Sequence, residues 1–228
     1  MKFDTHLHTK FSRDCTTDPF ALVKHAKKIG LGGIFITDHN SVSAYSFLKG
    51  KVDSFHIFCA QEIDTDQGEV IGLFLNDLIS PGDLGSVIDQ VKSQDGFLLL
   101  PHPFDRLRKH LDPSTLSKQI LSKFHAIEVF NSRIVYFRDD TQKAMDFASK
   151  NPNLIKTGGS DEHFIWELGS SFVKLPSLDS LSPSETTPEE IRKLFFDGNL
   201  IPHGKPNSPL FHIGTKAVKF LKKRKVIL

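Results

Sequence analysis

The chain has 228 residues, 39% of them hydrophobic and 25% charged, with a formal net charge of +2. These values are typical of one globular α/β domain, and so small a net charge does not by itself indicate a nucleic-acid or membrane partner. No apolar run approaches the ~20 residues that a membrane-spanning helix needs. Cys15 and Cys59 are too few for a disulfide framework. With no secretory signal at the start, we expect a cytoplasmic protein with reduced thiols.

Short apolar runs alternate with helical patterns along the chain. The apolar runs predict strands over Phe3–Leu7, Gly33–Thr37, His56–Glu62, Val70–Leu75, Phe97–Pro101, Ala126–Phe130 and Leu154–Gly158, with Ser171–Leu175 as an eighth strand or an edge. Helices are predicted over Pro19–Lys28, Leu84–Ser93, Thr115–Lys123, Tyr136–Lys150 and Pro188–Phe196. Strands that alternate with helices favour parallel pairing, and seven or eight such units close most naturally into a barrel.

We expect a single domain over residues 1–228, in which residues 177–228 form a loop, a helix and a basic C-terminal tail. The stretch Ser177–Ser184, "SLDSLSPS", is a surface loop by composition. The last residues, "KAVKFLKKRKVIL", are basic with interleaved apolar positions. Such a tail can touch nucleic acid or a membrane surface, but it is more often a terminal helix whose lysines stay in water.

Most of the polar motifs lie where a predicted strand ends. His6 and His8 are two residues apart, so both side chains point to the same side of a strand. In a parallel barrel the carboxyl ends of the strands share one rim, and active sites lie at that rim. The acids and imidazoles expected to meet there are His6, His8, Asp14, His39, Glu62, Glu69, His102, Asp161 and His163.

A single histidine or aspartate at a strand end is ordinarily a solvated loop residue. A whole set buried together without metal would carry a severe cost from desolvation and charge repulsion. Divalent cations remove that cost, so the sequence predicts a centre that holds two or three divalent metal ions. Mixed imidazole and carboxylate ligands admit zinc, manganese and iron alike.

Five motifs together resemble those of the PHP family (polymerase and histidinol phosphatase domains). In chain order they are "DTHLHT", "ITDHN", "AQEID", "PHP" and "GGSDEH". The resemblance runs from Met1 to about Val173. It implies a distorted seven-stranded (β/α) barrel of the TIM-like type and a metal-dependent phosphoesterase.

The resemblance also implies which residues share a metal ion. Ligands of one metal are His6, His8, Glu62 and Asp161; Glu62 would bridge to a second metal, shared with His102 and Glu69; ligands of a third are Asp14, His39 and His163. Many members of the family carry a histidine at the position that Glu69 occupies here.

Such a centre suits the hydrolysis of a phosphate ester by metal-activated water. The sequence contains no nucleophile elbow that would indicate a serine mechanism. The leaving oxygen needs a proton, and the candidate donors are His39, His163 and Asp38. Asp38 is more typical of a residue that orients an imidazole.

Substrate phosphate needs polar partners beside the metals. Arg106 and Arg133 are predicted to bind it because guanidinium groups make paired contacts with phosphate, and Asn131 lies near them in sequence. Arg108 is interpreted as a solvated loop charge. Four of the histidines outside the motifs are interpreted as surface or structural residues: His110, His125, His203 and His212.

We therefore expect a hydrolase of phosphate esters whose substrate is a phosphorylated small molecule or nucleotide, with a nucleic-acid end as another possibility. The interval between Glu62 and His102 is too short for an inserted substrate domain. One alternative is a metal-dependent amidohydrolase, which also begins with His-x-His but usually needs a bridging carboxylated lysine. Another is a non-catalytic metal-binding scaffold. No pattern indicates a particular oligomeric state.

Overall fold

The computed structural model describes residues 1–224, and for residue 137 it describes the backbone only. Within this range nine strands form a single sheet. The strands are β1 (Lys2–Asp4), β2 (Gly33–Ile36), β3 (His56–Asp64), β4 (Glu69–Leu73), β5 (Phe97–Leu100), β6 (Ala126–Asn131), β7 (Ile155–Gly159), β8 (Ser171–Lys174) and β9 (Ile201–Gly204). The helices are α1 (Pro19–Lys28), α2 (Ser43–Leu48), α3 (Leu84–Ser93), α4 (Lys118–Leu121), α5 (Phe137–Lys150), α6 (Pro188–Phe196) and α7 (Leu210–Lys223).

The sheet curls into a nearly closed barrel. Its strand order is β7-β6-β5-β4-β3-β2-β1-β8-β9, so β1 and β7 are not paired along their lengths. Just beyond their ends, however, Leu7 and Glu162 form a parallel bridge, and the Asp161 amide donates to the His6 carbonyl at 2.7 Å. The barrel therefore closes at the carboxyl ends of β1 and β7, while β8 and β9 form an antiparallel extension beside β1 that also lies against β7.

The α/β class agrees with the sequence, but the expected seven-stranded (β/α) repeat is not confirmed. β4 runs antiparallel to both β3 and β5. The reason is the short connection before it: Thr65 and Gly68 close a tight turn in which the Thr65 amide donates to the Gly68 carbonyl at 2.8 Å. A turn of this length can join only antiparallel strands, because a parallel pair needs a long crossover.

Two further departures follow from weak local patterns. β9 was not predicted because "IPHG" is short and none of its residues is buried. The predicted helix over Thr115–Lys123 is wrong at its start: Ser117 caps the shorter α4, and its hydroxyl accepts from the Ile120 amide at 3.2 Å. The preceding residue, Leu116, is extended, so the helix cannot begin earlier.

Local capping explains why other helices begin where the sequence predicts. Asp18 accepts hydrogen bonds from the amides of Phe20 and Ala21, at 3.0 and 3.2 Å, and so caps α1. Thr187 and Glu190 form a reciprocal capping box at the start of α6. These caps fix the two helices independently of the barrel.

Phenylalanine side chains fill the end of the barrel opposite the polar rim. Phe195 of α6 has ring contacts with Phe3, Phe35, Phe74 and Phe97, at centroid distances of 5.1 to 6.3 Å. All five side chains are buried. Because α6 and these rings seal one end, the buried polar residues are concentrated at the carboxyl ends of the strands.

The C-terminal region contains more structure than a loop, helix and tail. β9 joins the main sheet, and the described part of the basic tail lies in α7. Residues 225–228 of that tail lie outside the described residues. No helix in the described part of the chain is both long and apolar enough to cross a membrane.

His125 makes the free energy of unfolding depend on pH. Its Nδ1 accepts a hydrogen bond from the Leu98 amide at 2.9 Å. Burial, together with the charges of Lys92 and Arg192, lowers the pKa of His125. Since the unfolded chain has the higher pKa, it takes up the proton first as the pH falls, and stability is lost as the pH drops below about 6.5.

We expect His125→Asn, which keeps an acceptor for the Leu98 amide, to reduce the loss of unfolding free energy between pH 7.5 and 5.5. Urea titrations at both pH values in the presence of chelator measure this difference. An unchanged loss in the variant would show that His125 does not contribute to it.

Candidate metal centre

Glu62 lies at the centre of four imidazoles. Its Oε1 is 3.1 Å from His102 Nε2 and 3.5 Å from His6 Nε2, and its Oε2 is 3.1 Å from His39 Nδ1 and 3.4 Å from His8 Nε2. Burial acts to raise the pKa of the Glu62 carboxyl, but His39 and His6 outweigh it and hold this pKa well below its ordinary value. The carboxylate therefore keeps its negative charge although only 2% of the residue is exposed.

Asp161 provides a second buried carboxylate beside the same imidazoles. Its Oδ1 is 3.5 Å from His8 Nε2 and 3.7 Å from His6 Nε2, and its Oδ2 pairs with the Arg108 guanidinium. Asp161 has a φ of +56°, which is uncommon for a residue other than glycine. The bridge between the ends of β1 and β7 holds this backbone in place.

Asp14 lies between His163 and His39. Its Oδ1 is 3.4 Å from His163 Nε2 and its Oδ2 is 3.4 Å from His39 Nε2. Ser12 donates a hydrogen bond to Oδ1 at 3.0 Å and fixes the carboxylate. This loop carboxylate therefore belongs to the part of the cluster that contains His8, His39 and His163.

Glu69 and Asp64 form the outer part of the cluster. Glu69 lies 3.8 Å from both His39 Nδ1 and His102 Nε2. Arg13 pairs with Glu69 at 3.2 Å and with Asp64 at 2.6 Å. Asp64 was not predicted, although its two-residue spacing from Glu62 places both side chains on one face of β3 and would have indicated it.

Glu128 is a second residue that the sequence analysis missed. From the middle of β6 its Oε1 lies 3.2 Å from His6 Nδ1, while its Oε2 accepts from the His102 amide at 2.8 Å and from Asn131 Nδ2 at 2.9 Å. A carboxylate on the outer nitrogen of a histidine orients the ring toward a ligand. Glu128 thus fixes the ring of His6. By accepting a hydrogen bond from the His102 amide, it also fixes the unusual backbone of His102, whose φ is +29°.

These residues fit divalent cations. Several buried imidazole nitrogens have no hydrogen-bond partner among the described residues, namely His6 Nε2, both ring nitrogens of His8, His39 Nδ1 and His102 Nδ1. Ligand atoms lie within 4.8 Å of one another in four groups: His8, Asp14, His39 and His163; His6, His8 and Asp161; His6, Glu62 and His102; and His39, Asp64 and Glu69. Unpartnered nitrogens that face carboxylates are a suitable donor set for zinc, manganese or iron.

The nine predicted ligands are thus brought together, with a different grouping from the one implied by resemblance. His8 is shared between two groups, and Glu69 groups with His39 and Asp64. The predicted proton donor Asp38 lies apart from this set. Its two oxygens accept from the amide and hydroxyl of Thr9, at 2.6 and 2.7 Å, so it fixes the residue next to His8.

The predicted substrate contacts divide into two kinds. Asn131 donates to Asp161 at 3.0 Å, and Arg133 lines the cleft above the cluster. Arg106 instead pairs with Asp140 at 3.0 Å and is not among the described residues that line the cleft.

One other expectation was wrong. Arg108 is not a solvated loop charge: it lines the cleft and pairs with Asp161 and with Asp105, whose Oδ2 lies 2.6 Å from Arg108 Nε. His212 also lines the cleft, with Nε2 2.6 Å from the Arg133 carbonyl. Neither position is readable from the sequence, because both depend on how an irregular loop and α7 lie over the rim.

Comparison with known proteins identifies the family. The model of the PHP domain matches residues 4–74. The uncharacterized protein MJ0417 of Methanocaldococcus jannaschii is 34% identical over 200 residues, which cover 85% of this chain and 78% of that protein. The chain belongs to the PHP family.

Solved structures share this PHP fold. A two-domain protein from Bacteroides vulgatus, which contains a predicted PHP-like metal-dependent phosphoesterase, is 22% identical with a TM-score of 0.63; the match covers 90% of this chain and 65% of that one. A lesion-specific endonuclease from Pyrococcus furiosus, PfuEndoQ, is 16% identical with a TM-score of 0.65, covering 91% of this chain and 59% of that one. The PHP chain therefore spans less than two-thirds of the length of both proteins.

Glu62→Gln tests whether the central carboxylate of the PHP centre holds the metals. The change keeps the volume but removes the charge that faces four imidazoles, so we expect the protein to lose at least half of its bound metal by elemental analysis. Glu162→Gln is the matched control. Burial raises the pKa of Glu162 well above its ordinary value, so an amide resembles its neutral form and metal content should persist. Equal metal content in both variants would exclude Glu62 as a ligand.

Glu69 can be tested through the histidine that many PHP relatives carry at this position. If Glu69 is a ligand, Glu69→His should retain metal, while Glu69→Ala should lose about one ion per chain, because imidazole can replace a carboxylate as donor. If Glu69 only pairs with Arg13, the two variants should have the same metal content. Elemental analysis after dialysis against metal-free buffer distinguishes the two results.

Proposed function

We propose that this PHP protein hydrolyses phosphate esters with two or three divalent cations held at the carboxyl rim of the barrel. The observation that supports this most is the set of four imidazoles around Glu62. Two of these residues, His39 and His102, line a cleft of about 530 Å³ together with Glu62. Divalent cations supply a water of lowered pKa and stabilise charge on the phosphoryl oxygens. The nine predicted residues are the proposed ligands, with Asp64 as an additional one.

The proposed roles in proton transfer follow from the surroundings of each group. Burial, His8 and Arg133 lower the pKa of His163 to about 3, so His163 is a neutral imidazole at neutral pH rather than a proton-donating imidazolium, and it is assigned to metal binding. Asp38 is assigned to positioning the loop at Thr9, since both of its oxygens are engaged there. This leaves His39 as the proposed donor, and that role requires one of its nitrogens to stay free of a cation.

The residues around the cleft support a phosphorylated substrate. Arg108 and Arg133 both line the cleft, and guanidinium groups bind phosphate oxygens well. Asn131 holds Asp161 and Glu128 together, which supports a positioning role for it. A phosphorylated small molecule or a nucleotide fits a cleft of this size. The lesion-specific endonuclease with the same fold supports nucleic acid as a second candidate substrate class.

The amidohydrolase alternative receives less support. The position between the imidazoles is occupied by Glu62, where that class usually has a carboxylated lysine. Three lysines of the described chain line the cleft, Lys109, Lys216 and Lys219, and Lys109 donates to the Thr65 carbonyl at 2.6 Å. A non-catalytic scaffold is disfavoured because such a scaffold has no need of so full a ligand set next to an open cleft.

The test is hydrolysis of p-nitrophenyl phosphate and bis-p-nitrophenyl phosphate by protein reconstituted with manganese or zinc. We expect cleavage of at least one ester, abolished by chelator and restored by metal, with a loss of at least about a hundredfold in Glu62→Gln. Arg106→Ala should retain activity, since Arg106 pairs with Asp140 outside the cleft. A metal-loaded protein that cleaves neither these esters nor a panel of nucleotides and sugar phosphates would contradict the proposal.

A further inference from the structure

Helix α7 is fixed to the barrel along one of its faces. The ring of Phe211 lies 5.7 Å from that of Phe164, and Thr215 accepts a hydrogen bond from Arg133 Nη2 at 2.7 Å. Near the end of the helix, Lys222 donates to two backbone carbonyls of the loop between β1 and α1, at 2.6 and 2.8 Å. These contacts set the rotation of α7 about its own axis and so determine which of its side chains face solvent.

The solvent side of α7 carries an apolar stripe. Leu210, Ile213, Ala217 and Phe220 follow one another at intervals of three or four residues, so they lie along one face of the helix. Leu210 is 71% exposed, Ile213 68% and Phe220 52%, and Ala217 is exposed as well. None of the four is among the described residues that line the cleft. Contiguous exposed apolar side chains of this kind mark an interaction surface.

Basic side chains border the apolar stripe. Lys216 and Lys223 are both exposed and are two helical turns apart, so they lie along the same margin of the stripe. Within the described chain neither forms an ion pair with a carboxylate. At the end of α7 the guanidinium of Arg224 lies over the Phe220 ring, 4.2 Å from its centroid. Residues 198–228 contain seven lysines and arginines and no aspartate or glutamate, so the partner of this surface must be anionic.

The combination of apolar stripe and basic margin discriminates between the possible partners. A two-fold dimer through the stripe would bring the lysines of two α7 helices together without a carboxylate from that segment to neutralise them. Nucleic acid would bind the lysines, but its bases stack on aromatic rings and guanidinium groups and would leave Leu210 and Ile213 in water. An anionic lipid surface accommodates both parts, since acyl chains take the apolar side chains and headgroups attract the lysines.

We propose that α7 binds the surface of an anionic lipid bilayer, with Leu210, Ile213 and Phe220 inserted among the acyl chains and Lys216 and Lys223 at the headgroups. The helix has 14 residues, which suits a position in the plane of the surface rather than across the bilayer. Because α7 is already folded and held on the barrel, binding requires no ordering of the helix. Most of the cleft is lined by other elements, so it stays open. The inference does not depend on which reaction the metal centre catalyses.

The first measurement is co-sedimentation of the full chain with vesicles of phosphatidylglycerol and with vesicles of phosphatidylcholine. We expect the partition coefficient to be at least about tenfold higher on the anionic vesicles, because each lysine near an anionic surface adds to the attraction. Added salt should weaken the binding to phosphatidylglycerol. Equal partitioning onto the two lipids, or binding to neither, would overturn the proposal.

The variant Leu210→Ser/Ile213→Ser tests the apolar stripe. It removes two exposed apolar side chains and opens no cavity in the core, so the partition coefficient on phosphatidylglycerol should fall at least about tenfold. Leu78→Ser/Leu181→Ser is the matched control, because these leucines are also exposed, at 48% and 38%, but lie outside α7. The control should bind as the wild type does. If the stripe variant also binds as the wild type does, charge alone attracts the protein and the proposed insertion is refuted.

The variant Leu210→Phe/Ile213→Phe separates insertion from damage to α7. Phenylalanine also inserts at a lipid interface, so this variant should bind phosphatidylglycerol vesicles at least as tightly as the wild type. A loss as large as that of the serine variant would contradict insertion of the stripe.

Two further results would reassign the apolar stripe. A dimer seen by sedimentation equilibrium in the wild type and lost in Leu210→Ser/Ile213→Ser would assign the stripe to a second copy of the chain. Binding of oligothymidylate that the same variant loses would assign it to nucleic acid. Either result would overturn the proposal, and a wild type that stays monomeric and binds oligothymidylate no better than the serine variant does would support it.

Discussion

The constraint on which the rest of the structure depends is the burial of charge around Glu62. A carboxylate that is almost fully buried is stable only if positive or polar groups surround it, and here four imidazoles do so within 3.5 Å. The surrounding side chains cannot be replaced one at a time by apolar ones without leaving charges unpaired. This explains why the carboxyl rim is polar throughout while aromatic rings fill the opposite end of the barrel.

Closure of the barrel and assembly of the centre use the same short segments. The backbone contact between His6 and Asp161 closes the barrel, and the side chains of both residues belong to the cluster. His102 and Asp161 have positive φ values, and such backbone persists only where neighbouring contacts determine it. Glu128 and Asn131 supply those contacts from β6. The positions of the ligands are therefore set by the backbone of the rim rather than by flexible side chains.

The sequence predicted which nine side chains come together at the rim, because most of them follow strands and the ends of parallel strands meet there. It missed Glu128 in the middle of β6, where no strand end marks a polar residue, and Asp64, the last residue of β3, because that strand was predicted to end at Glu62. It placed Arg106 rather than Arg108 near the substrate, whereas Arg108 lines the cleft and Arg106 is not among the described residues that do. An irregular loop has no periodicity from which the direction of a side chain can be predicted. It also assumed a parallel β4, although the turn between Thr65 and Gly68 permits only an antiparallel strand.

For the C-terminal helix, tertiary contacts decide between interpretations that the composition leaves open. A basic stretch with apolar positions can touch nucleic acid or a membrane surface, although it is more often a terminal helix whose lysines stay in water. Packing on Phe164 and the contacts with Arg133 place α7 at the cleft, and its lysines then face a floor rich in carboxylates. Without cations that floor repels a phosphate, and with them it attracts one.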